Sequence, residues 1–251
     1  MDKEKETVIT VRNLKKTYYI GENGIHALNG VDFEIYKGEF CAIVGTSGSG
    51  KSTLLNMMAG LEKPTKGEII IAGEHLENMS ESGLVNFRRD HVGFIFQSYN
   101  LMPSLNAIEN VALPLTFRGM QKDKRERLAI KALKQVGLSK YLKHRPTQMS
   151  GGQQQRVGIA RALVLRPEII FADEPTGNLD SNTSEEVMSL MQRVVTDNNQ
   201  TLVMVTHDDH LATYADRIFR ILDGKIINIE ENEKSRENRE DMEENGSDTA
   251  E

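Results

Sequence analysis

Cysteine is nearly missing from this chain of 251 residues. Cys41 stands alone, which excludes an internal disulfide. It lies in the apolar run FCAIVG and reads as a buried strand residue, not a nucleophile. Long apolar runs are missing too. No stretch approaches the roughly 18 apolar residues of a membrane span, and the opening MDKEKETVIT carries no basic-then-apolar leader. The chain is therefore expected to be soluble and cytoplasmic. An excess of positive charge is also lacking: the formal net charge is −6. Residues 230–251 hold ten Asp and Glu against three Lys and Arg, which leaves 28 basic and 27 acidic side chains in the rest. A near-neutral body offers no electrostatic reason to expect nucleic acid as a partner. The acidic end, EENEKSRENREDMEENGSDTAE, has almost nothing apolar to bury. It is expected to be a disordered tail following a single domain over 1–229.

What is present is an alternation of apolar strands and amphipathic helices. TVITVRNL and GVDFEIYKG read as antiparallel strands joined by turns. EFCAIVG is a continuous apolar strand running into a glycine loop, and KSTLLNMMAGL follows as a helix. GEIIIAGEHL and DHVGFIFQ are further strands. Between about 98 and 165 the texture becomes helical (AIENVALPLTF, KDKRERLAIKALKQVGL, SGGQQQRVGIARALVL), with no convincing strand. The strand–helix alternation then resumes. EIIFADE is a strand, and Val187, Leu190, Met191, Val194 and Val195 form one stripe at helical spacing. QTLVMVTHD is a strand, HLATYA a short helix, and RIFRILDGKIINI a hairpin turning at Asp223-Gly224. The pattern predicts an α/β fold with a mainly parallel sheet covered on both faces, preceded by an N-terminal antiparallel β subdomain. The core is expected over about 1–97 and 166–229, with a helical subdomain inserted at about 98–165.

The glycine loop is GTSGSGKS, residues 45–52, a match to G-x-x-x-x-G-K-[ST] between an apolar strand and a helix. The glycines let successive backbone N–H groups turn inward as a nest for phosphate oxygens, and the helix N-terminus adds partial positive charge. Lys51 then places an ammonium on terminal phosphates, and Ser52 offers a hydroxyl to Mg²⁺. A metal needs a carboxylate, and EIIFADE ends in Asp173 and Glu174. Asp173 suits the metal; Glu174, one step on, can polarise an attacking water. Gln97, His207 and Asp180 also fall just past apolar strands, where ligands of parallel sheets bind. A second anion cradle opens at MSGGQ: Ser150 can cap a helix whose first amides, at Gly151 and Gly152, are left bare.

Together these residues resemble the ATP-binding-cassette (ABC) ATPases, in motif order over residues 8 to about 229. GTSGSGKS resembles their Walker A loop, IIFADE their Walker B strand, and MSGGQ their LSGGQ signature. The resemblance implies ATP and Mg²⁺ as ligands. ATP would be cradled by Gly45, Thr46, Ser47, Gly48, Ser49, Gly50, Lys51, Ser52 and Thr53. It further implies Ser52, Gln97 and Asp173 at the metal, and Glu174, His207 and Gln97 in catalysis. Tyr18 holds the place of the aromatic that stacks on adenine, with Tyr19 as its competitor. Within the superfamily, VGFIFQSYNLMPSLNAIENVALPL and ADEPTGNLDS look like the branch of MacB, LolD and FtsE. Met149 replaces the usual leucine of the signature, a swap of similar volume. Thr46 stands where proline is common.

The resemblance also accounts for the second cradle. Two chains would pair head to tail, so that Ser150, Gly151, Gly152, Gln153 and Asp180 of one chain reach the nucleotide held by the other. The further partner would be a transmembrane permease of the FtsX/MacB-like type. The chain would then sit peripherally on the cytoplasmic face of the membrane, exporting or extracting a peptide, drug or lipoprotein-like substrate. An FtsE-like regulator that works through a membrane partner without transport would carry the same motifs.

Overall fold

The computed structural model describes residues 6–21 and 23–232. Two long strands, β1 (Thr7–Ile20) and β2 (Asn23–Tyr36), lead into β3 (Phe40–Val44) and helix α1 (Lys51–Met58). Then come β4 (Lys66–Ile71), β5 (Glu74–His75), α2 (Glu81–His91) and β6 (Val92–Ile95). Three helices follow with no strand between them: α3 (Ala107–Phe117), α4 (Lys122–Gln135) and α5 (Gly151–Leu163). The chain returns through β7 (Ile169–Asp173), α6 (Ser181–Asp197), β8 (Thr201–Thr206), α7 (Asp209–Ala212), β9 (Arg217–Leu222) and β10 (Lys225–Glu231).

The strands form two sheets. β2, β1, β4 and β5 make an antiparallel sheet, and β10, β9, β3, β8, β7 and β6 make the second, parallel except for the β9–β10 hairpin. Strand alternation divides the core between the two faces of the second sheet. Phe40, Ala42, Ile170, Ala172, Leu202 and Met204 face α3–α6. Cys41, Ile43, Ile169, Phe171, Val203 and Val205 face the antiparallel sheet, α1 and α2. Cys41 is fully buried, as its apolar run predicts. The helical stripe of α6 is buried along its length, from Val187 to Val195. Each such side chain contributes about 1.5–3 kcal/mol of transfer free energy, more than propensity alone supplies to a helix.

The strand over Lys66–Ile71 pairs with β1 in the antiparallel sheet, and an unexpected helix, α2, fills the stretch after it. Only Leu84 and Phe87 of α2 are buried, a stripe too short to read by periodicity. The domain boundary at 229 also needs correction: β10 runs through Glu231, because Glu230 accepts a 2.7 Å bond from Arg220 Nε and the ladder reaches Arg217. Residues 233–251, the remainder of the expected tail, lie outside the described residues. No helix among the described residues is long and apolar enough to cross a membrane.

Candidate active site

The register of the parallel sheet gathers the expected residues. Val44 pairs with Thr206, Asp173 with Val205, and Ala172 with Ile95. The chain therefore leaves β3 at Gly45, β8 at His207, β7 at Glu174 and β6 toward Gln97, all at the carboxyl end of the sheet.

The glycine loop wraps a cavity of about 850 Å³. Gly45 to Gly48, Gly50 and Lys51 to Thr53 line it, together with Glu174 and His207. The loop is tight. A Cβ on Gly45 would press on the Ile221 carbonyl and lie 2.6 Å from Ser49 Oγ. Gly50, at φ 103°, caps α1, and a Cβ there would lie 2.5 Å from the Ala27 carbonyl. Lys51 is almost wholly buried, and its Nζ donates to the Gly45 and Thr46 carbonyls at 2.8 and 2.9 Å, spanning the loop's mouth. Ser49 does not line the cavity. Its side chain is buried beneath the loop and its carbonyl accepts from Gly224 N–H at 3.0 Å. Gly224 in turn accepts from Asn29 N–H at 2.8 Å. The Asp223-Gly224 turn thus braces the loop against β2, a role that a turn motif alone does not reveal.

Below the loop, Ser52 Oγ donates to Asp173 Oδ1 at 3.4 Å. Burial raises the Asp173 pKa, and the neighbouring Glu174 charge adds to the rise, while Ser52 and Lys51 oppose it. A hydroxyl beside a half-buried carboxylate under electrostatic pressure is an oxygen set that suits a hard divalent cation. Glu174 has left-handed backbone, φ 42°, with its N–H on the Val205 carbonyl at 3.1 Å. This turn aims its carboxylate at His207, whose Nδ1 donates to Oε1 at 3.1 Å. Such strain at the end of a strand is common where a side chain must be aimed.

The other candidates stand around this centre. Tyr18 Oη donates to Glu62 at 2.7 Å under the Lys16 ammonium. Burial and Glu62 raise its pKa, with the Thr53 hydroxyl at the start of α1 opposing. Tyr19 is 72% exposed and points away from that face. Gln97 makes no hydrogen bond to Ser52 or Asp173; its side chain packs on Gly177, and its carbonyl accepts from Asn178 at 3.0 Å. Asp180 caps α6, accepting from the Thr183 amide at 3.1 Å and the Thr183 hydroxyl at 2.7 Å, which lower its pKa, the hydroxyl foremost.

Ser150 and Gln153 form a reciprocal capping box at the start of α5, leaving the Gly151 and Gly152 amides at the helix end. None of Ser150, Gly151, Gly152, Gln153 and Asp180 lines the glycine-loop cavity.

Two contributors escaped the sequence. Arg220 borders the cavity and pairs with Glu230 and Asp209, both at 2.7 Å, which hold its guanidinium well above the usual range. A charge inside the apolar strand RIFRIL is the signal that could have found it. Gln155 is fully buried in α5 and donates to the Pro175 carbonyl at 2.5 Å, tying the signature helix to the residue after Glu174. A glutamine within a polar run gives no such sign.

The sequence profile of the ABC transporter family matches residues 28–177. An ABC transporter ATP-binding protein of Thermotoga maritima is 48% identical over 89% of this chain and 95% of its own length. The lipoprotein-releasing system ATP-binding protein LolD of Geobacter metallireducens is 43% identical over 88% of this chain and 98% of its own. The ATP-binding cassette MJ0796 of Methanocaldococcus jannaschii, solved as a dimer in a post-hydrolysis state with ADP and Pi, superposes with a TM-score of 0.82. It is 44% identical, over 89% of this chain and 98% of that one.

Proposed function

The chain belongs to the ABC transporter ATP-binding family, and we propose that it is the ATP-hydrolysing subunit powering a permease carried on a separate chain. It is an ABC ATPase; its substrate, its partners and the roles of its residues are the substance of the proposal. In this reading the amides of residues 45–53 cradle the phosphates, Lys51 neutralises the terminal ones, and Tyr18 supports the adenine. Ser52, Asp173 and Gln97 hold Mg²⁺, which would neutralise phosphate charge when bound. Glu174 accepts the proton of the attacking water, and His207 orients its carboxylate.

The observation that carries the reading is the separation of the two anion cradles. The α5 start presents free amides, yet it takes no part in the cavity that holds Lys51, Ser52 and Glu174. A second copy, paired head to tail, brings Ser150, Gly151, Gly152, Gln153 and Asp180 to the far side of the nucleotide. ATP then becomes part of the interface, and hydrolysis releases it. Exposed Met102 and Phe117, near the two ends of residues 98–118, suit contact with an apolar surface of a permease. We assign that permease to the FtsX/MacB-like type on the cytoplasmic face of the membrane, with a peptide, drug or lipoprotein-like substrate exported or extracted.

Two measurements test this. Glu174→Gln should elute as a dimer with ATP and as a monomer without it; a monomer in both conditions overturns the shared site. The tagged chain, purified from detergent-solubilised membranes of its source, should bring down a permease that raises its ATPase rate. Recovery wholly apart from membranes overturns the transporter role.

A further inference from the structure

Gln97 is followed by a turn that L-residues seldom adopt. Tyr99 and Asn100 are both left-handed, at φ 59° and 48°, and the Asn100 amide folds back onto the Ser98 carbonyl at 2.6 Å. Two such residues in a row persist only where the surroundings over-determine them. Arg161, near the end of α5, does so. Its Nη1 donates to the Asn100 carbonyl at 2.5 Å and its Nη2 to the Tyr99 carbonyl at 2.7 Å. No carboxylate lies in ion-pair range of it among the described residues, and burial pushes its pKa down. A desolvated cation satisfied by carbonyls alone is costly unless its geometry is used, and only a planar fork spans two neighbouring carbonyls.

The same turn touches both halves of the site. A Cβ on Gly177 would lie 2.7 Å from Gln97 Nε2, so Gln97 has little room to swing there. The Tyr99 hydroxyl covers Gly151, where a Cβ would lie 2.8 Å away.

We infer that Arg161 is a positioning residue. Its fork onto the Tyr99 and Asn100 carbonyls holds the left-handed turn that aims Gln97, and Tyr99 registers that turn against the signature end of α5. The inference rests on the reading of Gln97 as a metal- and water-holding residue. Without the fork, residues 98–100 relax toward ordinary backbone and Gln97 is no longer aimed. The glycine loop, three strands away from β6 across the sheet, is untouched.

The test uses the full chain as wild type, Arg161→Met, Arg161→Met with Asn100→Gly, and Gln97→Ala. Amide exchange of the protein without nucleotide is followed over residues 97–102, and ATP turnover is measured against Mg²⁺ concentration. Arg161→Met should speed exchange and lower kcat by about tenfold each, the scale of one left-handed residue set free. It should raise the Mg²⁺ half-saturation and leave the KM for ATP within about twofold, because ground-state phosphate contacts persist. Adding Asn100→Gly should recover neither loss, since asparagine already tolerates left-handed backbone and glycine orders the freed turn no better. Exchange and kcat close to wild type overturn the inference. So does a KM for ATP raised as much as kcat is lowered, which would make Arg161 a fold-holding residue only. If Arg161→Met does not fold, Arg161→Lys replaces it, keeping the charge without the fork. Gln97→Ala with unaltered turnover and Mg²⁺ dependence overturns the reading of Gln97, and the clasp with it. A slow Gln97→Ala beside a normal Arg161→Met overturns the clasp alone.

Discussion

Three alanine substitutions in the glycine loop separate crowding from backbone strain. Gly48 is left-handed, φ 79°, but a Cβ there would meet nothing within 4 Å. Gly48→Ala therefore incurs only left-handed strain of about 1–2 kcal/mol, partly offset by lower unfolded-state entropy. Gly45 is the reverse case. Its φ suits any residue, yet a Cβ would press on the Ile221 carbonyl and crowd Ser49 Oγ at 2.6 Å. Backbone on one side cannot yield cheaply, so overpacking of about 1–3 kcal/mol is expected. Gly50 combines the two, with φ 103° and a Cβ 2.5 Å from the Ala27 carbonyl and 2.9 Å from Leu28 Cδ2. Its alanine variant should lose about 2–5 kcal/mol, a large part of a typical stability of 5–15. At about 2–4 °C per kcal/mol for a chain of this size, Gly48→Ala should lower Tm by at most about 2–8 °C and Gly50→Ala by about 4–20 °C. Gly45→Ala should fall between. The chain has no tryptophan, so differential scanning calorimetry without nucleotide is the appropriate assay. A Gly48→Ala variant as unstable as Gly50→Ala would refute the packing of the loop against β2 and the C-terminal hairpin.

Glu174→Gln should bind ATP normally and turn it over about 10²–10⁴ times more slowly, as expected when a general base is lost. Phosphate release beside equilibrium ATP binding checks both halves, and near-normal turnover removes Glu174 from the chemistry. Tyr18→Ala should weaken ATP binding roughly 10- to 100-fold through lost base stacking, while Tyr19→Ala leaves it unchanged; titration with a fluorescent ATP analogue distinguishes them. Asp180→Asn keeps the α6 cap but not its charge. The folded-state pKa of Asp180 is lowered by the Thr183 hydroxyl, so its stabilisation is present above the unfolded carboxyl value, about 4, and lost as pH falls through the folded one. The Tm difference between wild type and Asp180→Asn should hold steady from pH 7 to about 5 and shrink below about 4; a difference that grows on acidification reverses the assignment.

Much of the site was legible because its chemistry is local. The nest of residues 45–52 is contiguous, and the Asp173-Glu174 pair ends an apolar strand. The Ser150–Gln153 capping box is a spacing of three, so four residues specify it. Long-range contributors were not legible. Arg220 reaches the cavity only because β9 lies beside β3, where Val44 pairs with Arg220. Gln155 meets Pro175 across twenty positions of sequence. Helix α2 was missed because two buried residues make no recognisable period.

Side-chain order along the chain was enough to determine the strands, the glycine loop, the capped start of α5 and the family, since hydrophobic period and glycine placement act over a few residues. Which sheet each strand joins was decided in three dimensions, as with β4, whose apolar side chains suit either sheet. The same holds for the choice of Tyr18 over Tyr19 as the residue beside α1, which depends on which face of β1 the packing of α1 covers. It holds also for the turn at Tyr99 and Asn100. Neither residue prefers left-handed backbone strongly enough to adopt it alone; the Arg161 guanidinium, arriving from 61 and 62 residues away, offers both carbonyls a donor at once in that conformation.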